Sequence, residues 1–266
     1  MSVTTVATYP RVQTRPIRRP TIEYPETDGK PMAESDFQRK PLTYAVEALD
    51  LFFRERSDVY VSGNLFIYYE KGNPEAVVAP DVFVVIGVPK RDRPSYFVWQ
   101  EGKAPDFVIE ITSRATRWED QGTKRALYAH LQVREYFQYD PTGDYLRPAL
   151  HGFRLAGGEY APILPRADTA GVLTLPSQAL GLELQLQDGG LRFHDPIAGR
   201  PLPNYEEAEL ARRAAELARR AAEARVQDET VARRAAEARA TAAEAELARL
   251  RAELARLRGG PPAAEG

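Results

Sequence analysis

The sequence predicts an α/β (α+β) domain, a mixed central sheet with flanking helices, followed by a long C-terminal helix of coiled-coil type. Three observations carry this. Between residues 30 and 200, short β-rich segments alternate with stretches of helical periodicity. Nearly all aromatic residues, and most glycine and β-branched residues, fall in that span. From residue 206 to 258 Ala, Glu, Arg and Leu take over, with neither Gly nor Pro.

The elements follow in order. Residues 1–28 are rich in Pro, Thr and Arg without a steady period, which reads as a flexible or loosely docked arm. Its Arg11, Arg15, Arg18 and Arg19 can touch phosphate or simply be solvated. The globular domain is assigned to 29–200. Ser35-Asp36 opens a helix in which Leu42, Val46, Leu49 and Phe53 recur at helical spacing. Residues 59–61 and 65–69 are short strands around Gly63-Asn64. The turn Lys71-Gly72-Asn73-Pro74 then leads into 77–86 as one returning strand. A strand over 107–112, a helix over 120–131 and a strand over 135–139 make an αβ unit, closed by Asp140-Pro141-Thr142-Gly143. Short strands are expected near 152–155, 172–175, 182–186 and 191–193.

In the last segment Ala-Arg-Arg-Ala-Ala-Glu recurs from Ala211, Ala218 and Ala232, and Leu247, Leu250, Leu254 and Leu257 alternate spacings of three and four. These are heptads, so 206–258 is suited to a coiled coil and to a homodimer. Leu210 and Leu217 are out of heptad phase with Leu247 and Leu254, so pairing is expected to be firmest over 247–257. The alternative is a single solvated helix held by Glu–Arg pairs. Gly259-Gly260-Pro261-Pro262 ends the helix and leaves 259–266 as a disordered tail.

The chain has 266 residues, with 36 Lys and Arg against 38 Asp and Glu and a formal charge of −2. That balance argues against a strongly basic nucleic-acid coat protein, yet admits a nuclease whose acidic site offsets a basic groove. The absence of Cys excludes disulfide scaffolds and Cys-ligated zinc. The best apolar run, 77–88, is interrupted by Pro80 and Asp81 and is too short to span a bilayer. The N-terminal stretch lacks the apolar centre of a signal peptide. The expectation is a cytoplasmic protein without a membrane partner.

Two segments are alike: Ala79-Pro80-Asp81-Val82-Phe83-Val84-Val85 and Ala104-Pro105-Asp106-Phe107-Val108-Ile109-Glu110. Each sets an acid at the mouth of an apolar strand, where a buried carboxylate is costly unless a cation or hydrogen bonds compensate it. By alternation, Asp106, Val108, Glu110 and Thr112 share one face, while Phe107, Ile109 and Ile111 share the core face. Carboxylates converging from adjacent strands make an oxygen-rich site for Mg²⁺ or Mn²⁺. Equally, Asp81 can be a turn acid and Glu110 half of a buried ion pair. Asp120, Lys124 and Tyr128 follow at helical spacing, either as a stripe facing that acidic pocket or with Asp120–Lys124 as an ordinary surface pair.

Taken together, Ala79-Pro-Asp81, Pro105-Asp-Phe-Val-Ile-Glu110-Ile-Thr-Ser113, Asp120, Lys124, Tyr128, Val133-Arg-Glu-Tyr136 and Asp140-Pro141 resemble the Uma-two family. This is a bacterial family of restriction-endonuclease-like proteins in the PD-(D/E)XK nuclease superfamily. The resemblance covers roughly residues 30–195. It implies a restriction-endonuclease-like sheet with Asp81 and Glu110 as the two metal acids and the Ile111 carbonyl as a further ligand. It also implies Lys124 as a catalytic lysine displaced onto the helix. Where the superfamily has Lys two residues after the second acid, this chain has Thr112. Ser113, Asp120 and Tyr128 match family positions and are expected to support the site. Apart from the resemblance, Glu34 at the start of the first helix can supply an extra acid near the metal. The implied activity is Mg²⁺- or Mn²⁺-dependent hydrolysis of DNA. Two rivals are a catalytically inactive nuclease-fold module acting in assembly through residues 206–258, and a nucleic-acid binder without catalysis.

Other signals are weaker. His130, His151 and His194 show no ligand spacing. Gly157-Gly158 and Gly189-Gly190 read as hairpin turns. Lys90-Arg91-Asp92-Arg93, with Lys71 and Lys103, either edges a phosphate groove or forms a solvated loop.

Overall fold

Helix α1 (Asp36–Phe52) starts at Ser35, whose carbonyl accepts from Gln38 N and Arg39 N, with Asp36 in the first turn paired to Arg39. It buries Ala45, Ala48 and Leu49 against the sheet. This computed structural model describes residues 22–27, 35–112, 120–167, 172–187 and 189–258. Most of the arm expected over 1–28, the expected tail 259–266, Glu34 and Ser113 lie outside them. Residues 22–27 are described. There Tyr24 packs on Tyr68, Phe97 and Trp99, and its hydroxyl accepts from Gly72 N at 2.7 Å.

The strands in chain order are β1 (Val59–Ser62), β2 (Ile67–Tyr68), β3 (Val77–Val78), β4 (Val82–Ile86), β5 (Tyr96–Phe97), β6 (Phe107–Ile111), β7 (Glu135–Tyr139), β8 (Leu150–Ala156), β9 (Glu159–Pro162), β10 (Arg166–Ala167), β11 (Leu173–Ser177), β12 (Leu182–Gln187), β13 (Gly190–Asp195) and β14 (Arg200–Pro201). The central sheet has the order β1-β4-β6-β7-β8-β9. Only its β6–β7 pair is parallel. A parallel neighbour demands a crossover, and the helical segment between β6 and β7 supplies it. Strands β10 to β14 make a second, antiparallel sheet, and β3-β2-β5 a third. The mixed α/β architecture and the long terminal helix are therefore as the sequence predicts.

The expected single strand over 77–86 is broken in two. Pro80 has no N–H to give a ladder, and its carbonyl instead accepts from Asn64 N at 3.0 Å. β3 pairs with β2, while β4 leaves for β1 and β6. The break sets Asp81 at the corner. Gly63 makes this corner possible: a Cβ there would lie 2.4 Å from the Asp81 carbonyl oxygen and 2.9 Å from Val46 Cγ2.

The central strands are covered on both faces, which explains their continuous apolar runs. One face places Val82, Val84, Phe107, Ile109, Ile111 and Phe137 against α1 and the second sheet. The other gathers Phe83, Val85, Val108, Tyr128, Tyr136 and Phe153. Buried Glu135 ties the two sheets together. Its carboxylate accepts from Arg154, the Ser177 hydroxyl, Gln178 N and Ala179 N.

Much of the basic stretch 90–93 is tied into the framework by ion pairs. Arg93 is buried on Glu101 at 2.9 Å with its guanidinium 4.2 Å from the Tyr60 ring centroid. Arg91 pairs with Glu101, Lys90 with Asp50, and Lys103 with Asp106. After β7, the carboxylate of Asp140 accepts from Thr142 N and Oγ1, Tyr145 N and Leu146 N and so shapes the turn.

Between β6 and β7 the expected α-helix over 120–131 divides into a π-helical turn (Asp120–Lys124) and helix α3 (Arg125–His130), after the short α2 (Val98–Glu101) earlier in the chain. The sequence pattern cannot register the extra residue of a π turn, a feature that recurs at functional sites.

The second unit, residues 203–266, holds α4 (Tyr205–Arg258). Asn204 and Glu207 cap it reciprocally: Glu207 N donates to Asn204 Oδ1 and Asn204 N to Glu207 Oε2, both at 2.9 Å. Spaced Arg–Glu pairs such as Arg213–Glu209 and Arg220–Glu216 run along it, while Leu210, Leu217, Leu247, Leu250, Leu254 and Leu257 are exposed. Among the described residues no helix is long and apolar enough to cross a membrane.

Candidate active site

β4 and β6 run antiparallel with Val82 opposite Ile109, so the residue before β4, Asp81, falls opposite Glu110. Two hydrogen bonds fix this. Ile111 N donates to Asp81 Oδ2 at 2.6 Å, and Asp81 N points to Glu110 Oε2 at 3.4 Å. The two acids, distant in sequence, meet at the end of the sheet.

Glu110 is fully buried, with 0% exposure. A carboxylate so placed needs compensation. Lys124 Nζ donates to its Oε2 at 3.0 Å, and the Tyr128 hydroxyl to its Oε1 at 2.6 Å. The Lys124 side chain is 14% exposed, so solvent reaches part of this pair. The i and i+4 positions of Lys124 and Tyr128 bring both groups onto one carboxylate. Burial pushes the Tyr128 hydroxyl well above the ordinary tyrosine range, and the charge of Glu110 pushes the same way. Tyr128 is therefore a neutral donor at pH 7.

The structure thus gathers Asp81, Glu110, the end of β6 at Ile111, Lys124 and Tyr128. Glu34, Ser113 and the side chain of Asp120 lie outside the described residues. Thr112 is 1% exposed and its hydroxyl has no hydrogen-bond partner among the described residues. Sequence reasoning missed Gln138, which is buried beside Glu110 in the β6–β7 register and donates to the Tyr136 hydroxyl at 3.1 Å. The signal was present: Gln138 is the one amide in the apolar strand Tyr136-Phe137-Gln138-Tyr139, and it is polar on the face that carries Glu110.

The donors are two carboxylates and a strand-end carbonyl, an all-oxygen set of the kind that hard divalent cations take. Glu110 Oε2 is shared by the Lys124 ammonium and Asp81 N, and Oε1 takes the Tyr128 hydroxyl, which holds both oxygens in place. The residues fit such an ion, with Lys124 offsetting carboxylate charge. Among the described residues no group of three or more His, Cys, Asp or Glu forms a ligand cluster.

No curated protein matches this chain. One similar solved structure is that of a "putative nuclease belonging to DUF820" from Anabaena variabilis ATCC 29413. It is 14% identical, with 58% of this chain and 81% of that one covered and a TM-score of 0.41. The Uma2 family model, described as "Putative restriction endonuclease", matches residues 11–187, well over half of the chain and all of the site above. The chain belongs to the Uma2 (Uma-two) family.

Proposed function

We propose that the protein is a metal-dependent endonuclease that hydrolyses phosphodiester bonds in DNA. The observation that supports this best is the meeting of Asp81, Glu110 and Lys124 at one sheet end. Asp81, Glu110 and the Ile111 carbonyl would hold Mg²⁺ or Mn²⁺. Such an ion, when bound, polarises a phosphoryl oxygen and lowers the pKa of water. Lys124, oriented by Glu110, would place its ammonium against the charge that develops on the scissile phosphate. Tyr128 would hold Glu110 in one rotamer. Water would add in line to phosphorus and release a proton to solvent, the opposite P–O bond would break, and the leaving alkoxide would take up a proton from solvent. Work on DNA in the cytoplasm would fit this reading. The exposed leucines of α4 support a homodimer through residues 206–258, which would bring two sites to one duplex. The test is cleavage of a supercoiled plasmid with Mg²⁺ or Mn²⁺. Asp81→Ala or Glu110→Ala must abolish cleavage while the circular dichroism spectrum is kept, and cleavage that survives both ends the assignment.

A second reading keeps the fold and drops the chemistry: an assembly module acting through α4. Thr112 at the superfamily's lysine position favours it. Calorimetric titration decides, since this reading requires that neither Mg²⁺ nor Mn²⁺ binds.

A further inference from the structure

The layer that holds the acids does not stop at Glu110. The β6–β7 register sets Gln138 beside Glu110, and the β7–β8 register sets His151 beside Gln138. Residues paired across a ladder point to one face. Asp81, Glu110, Gln138 and His151 therefore form a polar row from the corner before β4 to β8. Ring contacts confirm the face. Gln138 Nε2 reaches the Tyr136 hydroxyl, the Tyr136 ring stacks on Phe153 at 6.2 Å, and the His151 ring meets Phe153 edge-on at 6.4 Å. At strand spacing, His151 stands roughly 10 Å from Glu110.

His151 is half-buried, and apart from that ring contact it makes no hydrogen bond or ion pair among the described residues. The Arg125 guanidinium lies 3.9 Å from the centroid of the same Phe153 ring, with Nη2 donating to the Tyr160 carbonyl at 3.3 Å. Two nitrogen-rich side chains thus flank Phe153, one step beyond the amide that adjoins the acids. The fold does not require this imidazole: its strand neighbours Leu150, Gly152 and Phe153 already serve the packing.

We propose that His151 is a binding residue for a substrate backbone phosphate flanking the one cleaved, with Gln138 as the bridge between that subsite and the acids and Arg125 adding positive charge beside it. A polynucleotide presents phosphates in series, so a site that grips one at the acids meets the next along the row. This rests on the nuclease reading above.

The test uses labelled oligonucleotides in which one phosphate at a time is a neutral methylphosphonate. Binding is read by anisotropy with Ca²⁺ in place of Mg²⁺, and turnover with Mg²⁺. The wild-type protein is expected to lose about tenfold in affinity when one flanking phosphate is neutralised. His151→Ala is expected to bind the unmodified strand about tenfold more weakly and to be indifferent to that one substitution. Its KM rises while kcat stays within about threefold. His151→Gln keeps a donor and most of the volume, so partial recovery is expected there even if the alanine variant folds poorly. A wild-type pattern of position penalties in both variants overturns the subsite, as does a loss confined to kcat. Binding that shifts as expected without any cleavage keeps the subsite and removes the nuclease. Cleavage with an unshifted pattern does the reverse. Failure of the wild-type protein to bind any strand overturns both.

Discussion

Lys124 Nζ stands 3.0 Å from Glu110 Oε2, the ammonium on a helical segment and the carboxylate on the strand before it. Glu110 has no exposure, so this pair sets both the charge of the site and the tolerance of the fold for a buried acid. Replacing Lys124 by Met removes the cation and leaves the carboxylate desolvated. Loss of one partner of a buried pair costs about 3–5 kcal/mol, and partial exposure of the lysine places the expected value at about 2–4 kcal/mol. Glu110→Gln should cost less, because the amide still accepts from Tyr128. The double variant should recover part of the Lys124→Met loss. Urea unfolding of the four proteins checks this, and strictly additive losses would mean that the two groups are not coupled.

Gly63 and Gly122 make a controlled contrast around the same site. A methyl at Gly63 meets the Asp81 carbonyl at 2.4 Å, a backbone atom that cannot step aside without moving the acid. Gly63→Ala is expected to lose about 1–3 kcal/mol and to depress cleavage beyond what the lost stability explains. A methyl at Gly122 meets nothing within 4 Å among the described residues. Gly122→Ala is expected to gain roughly 0.5–1 kcal/mol from helix propensity. Thermal unfolding and cleavage rates on both variants separate acid placement from general stability.

Thr112 carries a buried hydroxyl without a hydrogen-bond partner among the described residues. An unsatisfied buried group costs about 1–3 kcal/mol, so Thr112→Val, nearly equal in volume, should stabilise the fold by about 1 kcal/mol. If the hydroxyl meets the substrate strand, the same variant loses turnover while gaining stability. A variant that loses stability would show that the hydroxyl is satisfied in solution.

The fold was legible where local signals agree with packing. The spacing of Leu42, Val46 and Leu49, the strand at 135–139 and the break in composition near residue 206 each report one physical preference. The split of 77–86 was not legible, because β3 and β4 part to different sheets and only tertiary pairing decides that. The acids were legible because a carboxylate inside an apolar run needs a reason. Gln138 was not, since its meaning comes from a β6–β7 register that the sequence does not encode locally. Arg93 was misread for the reverse reason: a run of basic residues resembles a solvated face until Glu101 and Tyr60 are seen to enclose it.

Asp140 gives the fold an acid limit independent of the site. Burial works against its charge, yet donors from Tyr145, Leu146 and Thr142 outweigh that and hold its pKa below the usual aspartate value. A depressed folded pKa contributes stability that is present above the unfolded value, near 3.9, and is lost as pH falls through the folded one. Asp140→Asn should therefore be less stable than the wild-type protein at pH 7 and show a shallower loss below about pH 4. Denaturant midpoints measured from pH 7 to pH 2 check the sign, and parallel curves for the two proteins would remove Asp140 from the acid transition.

Helix α4 exposes leucines in two phases. Leu247, Leu250, Leu254 and Leu257 keep the three-four alternation of a coiled-coil seam, while Leu210 and Leu217 lie in another phase among alanines. Intrahelical Arg–Glu pairs favour the helix weakly but do not bury its leucines. In the proposed homodimer a second copy of the chain would bury them. Leu250→Glu with Leu254→Glu is expected to shift sedimentation from dimer to monomer at micromolar concentration, and Leu210→Glu with Leu217→Glu to leave it nearly unchanged. Equal effects of the two pairs would place the seam along the whole helix, and a wild-type protein that sediments as a monomer at every concentration would reduce α4 to a solvated helix carried by its ion pairs.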